Sequence, residues 1–326
     1  MRAPGKAASV ATMSARSLLI ALPNTAVDVF AAPFAATSPK LSLVVHGRDT
    51  YALENIAYAF SFRPPPGLLK SLPNLRIVFS VGAGVDGFLA DKDFPERVPL
   101  VRLVDHTLAR DMTHYIVLQT LMHHRRQRQF DALQRERKWR QSFPPRRTED
   151  TRIGILGLGA IGAMAGERLR DLDFKIAGWS RDRKNVRGIE SFAGDGELES
   201  FLAQTNILIC VLPLTPQTRG ILNRKTLALL PPGAFVINVA RGEHVVESDL
   251  LAMIEEGHIA GAALDVFAKE PLPETSLLWR HPNVTITPHV AALSDPQASA
   301  QNVIDGIARY ERGEALINVV DFARGY

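Results

Sequence analysis

The sequence predicts an α/β protein built on parallel sheets and divided into two domains. Three observations carry this. The chain has 326 residues, about twice a common single-domain length. Short apolar runs alternate with turn-rich and helix-compatible stretches, the rhythm of βαβ units. That rhythm stops at a long helical region and restarts at Thr151.

In the first hundred residues the strand candidates are 18–21, 41–45, 57–61, 76–79 and 100–103. Pro-rich or helix-compatible stretches such as 67–72 separate them. Residues 105–134 read as one helical region, with Met112, Tyr115, Ile116, Gln119 and Met122 as an approximate helical stripe. Pro144 and Pro145 close it. Residues 152–156 then read as a strand, 160–172 as a helix and 175–179 as a strand. Segments 207–212, 234–238, 261–265 and 284–287 continue the strand series. A last helix is expected over 295–312 and an edge strand over 317–320.

Composition narrows the function classes. Apolar residues make up 46% and charged residues 22% of the chain, a globular profile. No apolar run reaches the roughly 18 residues that span a bilayer. The net charge of +4 suits anionic ligands. Residues 125–147 hold nine Lys or Arg against two acids, Asp131 and Glu136. Without a stacking platform or groove-reading motif, that run reads as a solvated helix and loop, not a nucleic-acid surface. Cys210 stands alone in the apolar run 206–212 and reads as a small buried hydrophobe. No metal-ligating pattern is evident. Residues 1–16 are Ala- and Ser-rich, contain no acid, and share that composition with transit peptides. They read here as a disordered tail on a cytoplasmic protein.

The strongest motif is Gly157-Leu-Gly159-Ala160-Ile161-Gly162, which follows a strand and opens a helix. The first glycine permits a tight turn, the second lets a pyrophosphate approach the backbone, and the third lets helix and strand pack closely. The helix N-terminus offers N–H groups to phosphate charge. A dinucleotide cofactor on a Rossmann-like domain is the expectation. The next strand ends in Trp179-Ser180-Arg181-Asp182-Arg183. A carboxylate at the Ser180 position would hold a ribose hydroxyl and repel a 2′-phosphate. Ser180, Arg181 and Arg183 instead suit the phosphate, so NADP(H) is expected over NAD(H), with Asp182 leaving NAD(H) open.

Arg241, Glu270 and His289 each follow a predicted parallel strand, where α/β sheets place their ligands. Reduction of a 2-oxo acid needs a cation for the carboxylate, a proton donor at the carbonyl oxygen, and a group that supports that donor. Arg, His and Glu fill those needs.

Taken in order, Phe79-Ser-Val-Gly-Ala-Gly-Val-Asp86, Arg110-Asp-Met-Thr-His-Tyr115, the glycine turn, Gly178-Trp-Ser-Arg181, Leu212-Pro-Leu-Thr-Pro216, Asn238-Val-Ala-Arg-Gly242, Leu264-Asp-Val-Phe267, Glu270-Pro-Leu-Pro273 and Thr287-Pro-His289 resemble the D-2-hydroxyacid dehydrogenases. The resemblance is greatest to the glyoxylate/hydroxypyruvate reductase A branch, and it runs from about Leu53 to the C-terminus. It implies that Arg241 binds the substrate carboxylate, His289 donates the proton and Glu270 pairs with His289. It further implies that Asp265 lies near the nicotinamide, that Leu212, Pro213 and Ala240 line the cofactor, and that Gly82, Ala83 and Gly84 hold the carboxylate through backbone N–H groups. Phe62 stands where the branch often carries Trp.

The same resemblance implies two Rossmann-like or flavodoxin-like domains with a cleft between them. The substrate domain would be discontinuous, from 17–107 and 294–326, with the cofactor domain over 108–293. A homodimer through the cofactor domain is expected, and no nucleic-acid or membrane partner. Alternatives are a sister enzyme with another oxo acid substrate, or a dinucleotide-sensing binding protein on the same fold.

Overall fold

The computed structural model describes residues 16–38, 40–103 and 106–325. The proposed tail thus lies outside the described residues, Arg16 excepted. In chain order the elements are β1 (Ser17–Ala21), α1 (Asn24–Thr37), β2 (Ser42–Val45), β3 (Ile56–Ser61), β4 (Ile77–Ser80), α2 (Asp86–Leu89), β5 (Leu100–Val101), α3 (His106–His124) and α4 (Gln127–Arg135). There follow β6 (Arg152–Leu156), α5 (Ala160–Arg170), β7 (Lys175–Ser180), β8 (Glu190–Ala193), α6 (Leu198–Leu202), β9 (Ile207–Cys210), α7 (Arg224–Leu227), β10 (Ala234–Asn238), α8 (Glu247–Glu255), β11 (Ile259–Leu264), β12 (Val284–Ile286) and α9 (Pro296–Glu311).

The contacts form two compact units. One joins described residues up to 103 with Pro296–Arg324, and the other holds Val104–Asp295. The first carries a five-stranded sheet in the order β2-β1-β3-β4-β5. All its strand pairs are parallel. The inner strands β1, β3 and β4 are buried along their whole length, so apart from a terminal serine in each they are apolar-rich and not alternating. From the far end of the sequence, α9 adds Ala300 and Val303 to the core around Leu18, Phe34, Tyr58, Phe60 and Phe79. Gly306 permits that packing: a Cβ there would stand 2.6 Å from the Phe79 ring.

The second unit carries a seven-stranded parallel sheet in the order β12-β11-β10-β9-β6-β7-β8. Strand order runs one way from β6 through β7 and the other way from β6 through β9. The crevice outside β6 is therefore the topological switch point, where α/β sheets bind ligands. One core lies under α3 and α5, around Ile116, Ile153, Ile155, Leu169 and Ile237. The other lies around Leu208, Val236, Leu250, Ile254 and Ala262. Cys210 is fully buried, and burial pushes its thiol up to about 12. Among the described residues no helix is long and apolar enough to cross a membrane.

Three expectations need correcting. The single helix over 105–134 is two helices, because Arg126 takes a left-handed conformation at φ 59° and turns the chain between α3 and α4. The edge strand over 317–320 reduces to one antiparallel bridge, Val101 to Val319, since Asn318 at φ 59° interrupts the extended run. Residues 67–72 form turns and no helix.

Candidate active site

The glycine turn occupies the switch point. Gly157 adopts φ 108°, a conformation strained for any other residue, and its N–H donates to the Trp179 carbonyl at 2.8 Å. At Gly162 a Cβ would come within 1.9 Å of the Gly157 carbonyl oxygen, so that position admits glycine alone. Gly159 is different: a Cβ there would meet nothing within 4 Å. Its surroundings are open, and it caps α5, whose first residues Ala160 and Ile161 are exposed and half-buried. Two glycines are thus required by the protein's own packing. The third leaves room for a pyrophosphate at a helix N-terminus.

Ser180 ends β7 and its hydroxyl donates to the Asp182 carbonyl at 2.8 Å, which bends the chain into an exposed turn. The Arg183 guanidinium leaves that turn. It donates to the Ser191 carbonyl of β8 and pairs at 2.5 Å with Glu197 in the turn that follows β8. Leu212 is buried and Pro213 half-buried in the loop after β9, and Ala240 is buried after β10.

The loops after β10, β11 and β12 bring Arg241, Glu270 and His289 to the same end of the sheet. His289 Nδ1 lies 2.9 Å from Glu270 Oε2. The two side chains are 35% and 23% exposed, open enough for a ligand to reach them. Glu270 is anchored in turn, since its Oε1 accepts the Phe267 N–H at 3.0 Å. Gly242, next to Arg241, touches the same loop: a Cβ there would sit 1.8 Å from the Phe267 carbonyl carbon.

Asp265 shapes the His289 segment. It is 1% exposed. Its carboxylate accepts the N–H groups of Val290 and Ala291, both at 2.9 Å, and the Thr287 hydroxyl at 2.5 Å. Its carbonyl accepts the His289 N–H at 2.8 Å. These bonds hold His289 at φ 57°, a conformation that costs a non-glycine residue about 1–2 kcal/mol. Because Thr287 donates to Asp265, the Tyr115 hydroxyl is the donor in its 2.7 Å contact with Thr287. Burial pushes that phenol up to about 12, so it keeps its proton.

Tyr115 and Thr287 lie in family-like motifs, but no sequence signal marks them as links in this hydrogen-bonded series. Nor does any mark His244, which is wholly buried three residues after Arg241. Arg181 is exposed in the turn after β7, and the remaining predicted residues lie on the five-stranded unit. Gly82, Ala83 and Gly84 form a half-buried bend after β4, and the Gly82 N–H reaches the Ser80 hydroxyl at 3.4 Å. Phe62 follows β3, with the Arg63 guanidinium 5.5 Å from its ring centre. Among the described residues no group of three His, Cys, Asp or Glu is placed to hold a metal ion.

A seven-stranded doubly wound sheet with a glycine turn at its switch point, and a Glu–His pair on neighbouring strand ends, defines the class of dinucleotide-dependent oxidoreductases. Residues 117–291 match the model of the D-isomer specific 2-hydroxyacid dehydrogenase NAD-binding domain. The chain is 42% identical over 274 residues to glyoxylate/hydroxypyruvate reductase A of Serratia proteamaculans, covering 82% of this chain and 87% of that one. It belongs to the D-isomer specific 2-hydroxyacid dehydrogenase family. A family member from Xanthobacter autotrophicus, solved in complex with NADPH and MES, superposes with a TM-score of 0.90 at 39% identity, over 96% of this chain and 100% of that one. An NADPH-dependent glyoxylate/hydroxypyruvate reductase from Sinorhizobium meliloti, solved with NADP and sulfate, gives 0.90 at 37% identity, over 95% and 100%.

Proposed function

We propose that this chain is an NADPH-preferring reductase that converts short 2-oxo acids, glyoxylate or hydroxypyruvate, to 2-hydroxy acids. The observation that carries the reading is the 2.9 Å His289–Glu270 pair, which follows β12 and β11 at the same sheet end where Arg241 follows β10. When bound, the nicotinamide cofactor supplies the hydride. The residues that would hold it are Gly157, Gly159, Ala160, Ile161 and Gly162 at the pyrophosphate, with Leu212, Pro213, Ala240 and Asp265 along the nicotinamide half. Arg241 binds the substrate carboxylate bidentately. Gly82, Ala83 and Gly84 are candidate backbone donors to a carboxylate, and Phe62 is a candidate for substrate preference. Glu270 accepts the His289 Nδ1 proton and fixes the ring, leaving Nε2 to give its proton to the substrate oxygen as negative charge develops there.

His289→Ala tests this directly. It should lower kcat about 10²–10⁴-fold with folding intact. A variant that keeps near-wild-type kcat removes His289 from the mechanism. The NADPH preference is assigned to Ser180, Arg181 and Arg183, of which Arg183 also pairs with Glu197. Ser180→Asp combined with Arg181→Ala should raise KM for NADPH and narrow its advantage over NADH. Better use of NADH by the wild-type enzyme would refute the basic turn's role.

A homodimer through the seven-stranded unit fits the surface beyond α3. There Trp139 is 89% exposed, and α4 buries none of its residues. Light scattering should give twice the chain mass. We place the enzyme in the cytoplasm, and cell fractionation checks that.

A further inference from the structure

We propose that His244 is a positioning residue that clasps two loops of the site together, the one carrying Arg241 and the one carrying Pro213. The inference rests on the proposed roles of Arg241 at the substrate carboxylate and of Pro213 at the cofactor.

His244 closes the short 3-10 turn Gly242–His244 after β10, and its side chain has no exposed surface. A polar ring so placed must find its hydrogen bonds inside the protein. It finds one on each side. The Arg241 N–H points at Nδ1 at 3.2 Å, and Nε2 lies 3.3 Å from the Pro213 carbonyl oxygen. One tautomer serves both contacts. Nδ1 must carry a lone pair to accept from Arg241, and Nε2 must carry the proton to donate to Pro213. Nδ1 also lies 3.1 Å from the Arg241 carbonyl, where that tautomer makes no bond. Burial lowers the pKa of the ring and so favours the neutral form that this arrangement needs.

The rest of the Arg241 backbone is held from the other direction. Its carbonyl accepts the Asn238 side-chain amide at 2.8 Å and the His244 N–H at 3.2 Å. The peptide groups on either side of the Arg241 Cα are therefore fixed, and His244 supplies the hold on the N–H. Through the opposite edge of its ring, His244 ties that hold to the loop after β9. Glycine at 242 keeps the turn against the Phe267–Ala268 backbone, so the loop cannot relax away to compensate for a lost bond. His244 touches neither cofactor nor substrate in this reading and acts only through Arg241 and Pro213.

The two edges of the ring can be separated by substitution. The Asn side chain places its oxygen near the position of Nδ1 and cannot reach Pro213. The Gln side chain places its amide nitrogen near the position of Nε2 and loses the acceptor for Arg241. In steady-state assays with glyoxylate and NADPH, His244→Gln should raise KM for glyoxylate roughly 3- to 10-fold, the worth of one net hydrogen bond, with KM for NADPH near wild type. His244→Asn should show the opposite split. His244→Phe, which fills the space without either bond, should raise both. If the Asn and Gln variants move both constants together, or move neither, His244 is a packing residue and the proposal falls.

The wild-type protein gives a second measurement that needs no folded variant. Nitrogen-15 spectra of histidine-labelled enzyme should show the His244 ring, assigned through its own backbone correlations, protonated at Nε2 alone across neutral pH, and protonation of that ring at Nδ1 would overturn the clasp. Arg241→Ala separates the inference from the reading beneath it. If that variant leaves KM for glyoxylate unchanged, the role of Arg241 is wrong whatever His244 does.

Discussion

Gly242 shows how little freedom a single residue near the site retains. The nearest atoms to an added Cβ are backbone atoms of Phe267 and Ala268, at 1.8 to 2.2 Å, and backbone cannot swing aside as a side chain can. Gly242→Ala should destabilise the fold by at least the roughly 1–3 kcal/mol of an ordinary overpacked site. It should also displace Arg241, so thermal melting and KM for the oxo acid should both worsen. Normal values of both would show that the two loops can part. The glycine turn was legible in the sequence because each of its glycines answers a local demand, on backbone angle or on close approach. The placement of Arg241, Glu270 and His289 just after β10, β11 and β12 was legible because strand ends are readable. His244, and the relay from Tyr115 through Thr287 to Asp265, were not. Their roles depend on which atom lies opposite, and tertiary packing decides that. Asp265 was expected beside the nicotinamide; what the structure shows its carboxylate doing is anchoring the His289 segment.

The element that most rewards attention is α3. Its last turn carries His123 and His124, where the helix dipole alone would favour protonated rings by about 0.3–1 kcal/mol. Burial opposes this and wins. His123 stacks on Phe235 at 4.0 Å between ring centres, and burial, with Arg146 nearby, brings its pKa down to about 3 from 6.5. His124 and His244 shift in the same direction for the same first cause. The sign follows. Below pH 6.5 the unfolded chain takes up protons that these folded rings refuse, so stability present above that pH is lost as the pH falls toward 3. Melting temperature should therefore drop between pH 7 and pH 5, and His123→Phe should flatten part of that drop. An unchanged slope would mean that the ring at 123 titrates normally in the folded protein. The sequence showed a helix here and hid its break, because a left-handed arginine at 126 carries no compositional signal. It hid β8 for a related reason: Glu190–Ala193 is a half-exposed edge with no apolar run.

At the scale of the molecule, each sheet is backed by its own cores, and the cofactor contacts proposed above fall on one unit. Ligand binding should therefore stabilise selectively. NADPH at one hundred times its dissociation constant adds about 2.7 kcal/mol to whatever unfolding releases it. Hydrogen exchange should slow most in the amides of β6, α5 and β7. Equal slowing across the strands of both sheets would argue against a localised site. The α/β class and parallel sheets were readable from the rhythm of apolar runs. Which strands are neighbours was not, because β6 lies beside β9 through contacts that no local pattern announces.

The C-terminal helix α9 packs into the core begun by the first strands, and this bears on how the protein is made. A ribosome delivers β1 before the seven-stranded unit and α9 after it. Until α9 emerges, Phe79 and its neighbours lack the cover that Ala300 and Val303 supply. The later-encoded sheet is contiguous in the chain and complete by Asp295. It can close while the earlier one still waits for α9, so the unit begun before it is completed after it.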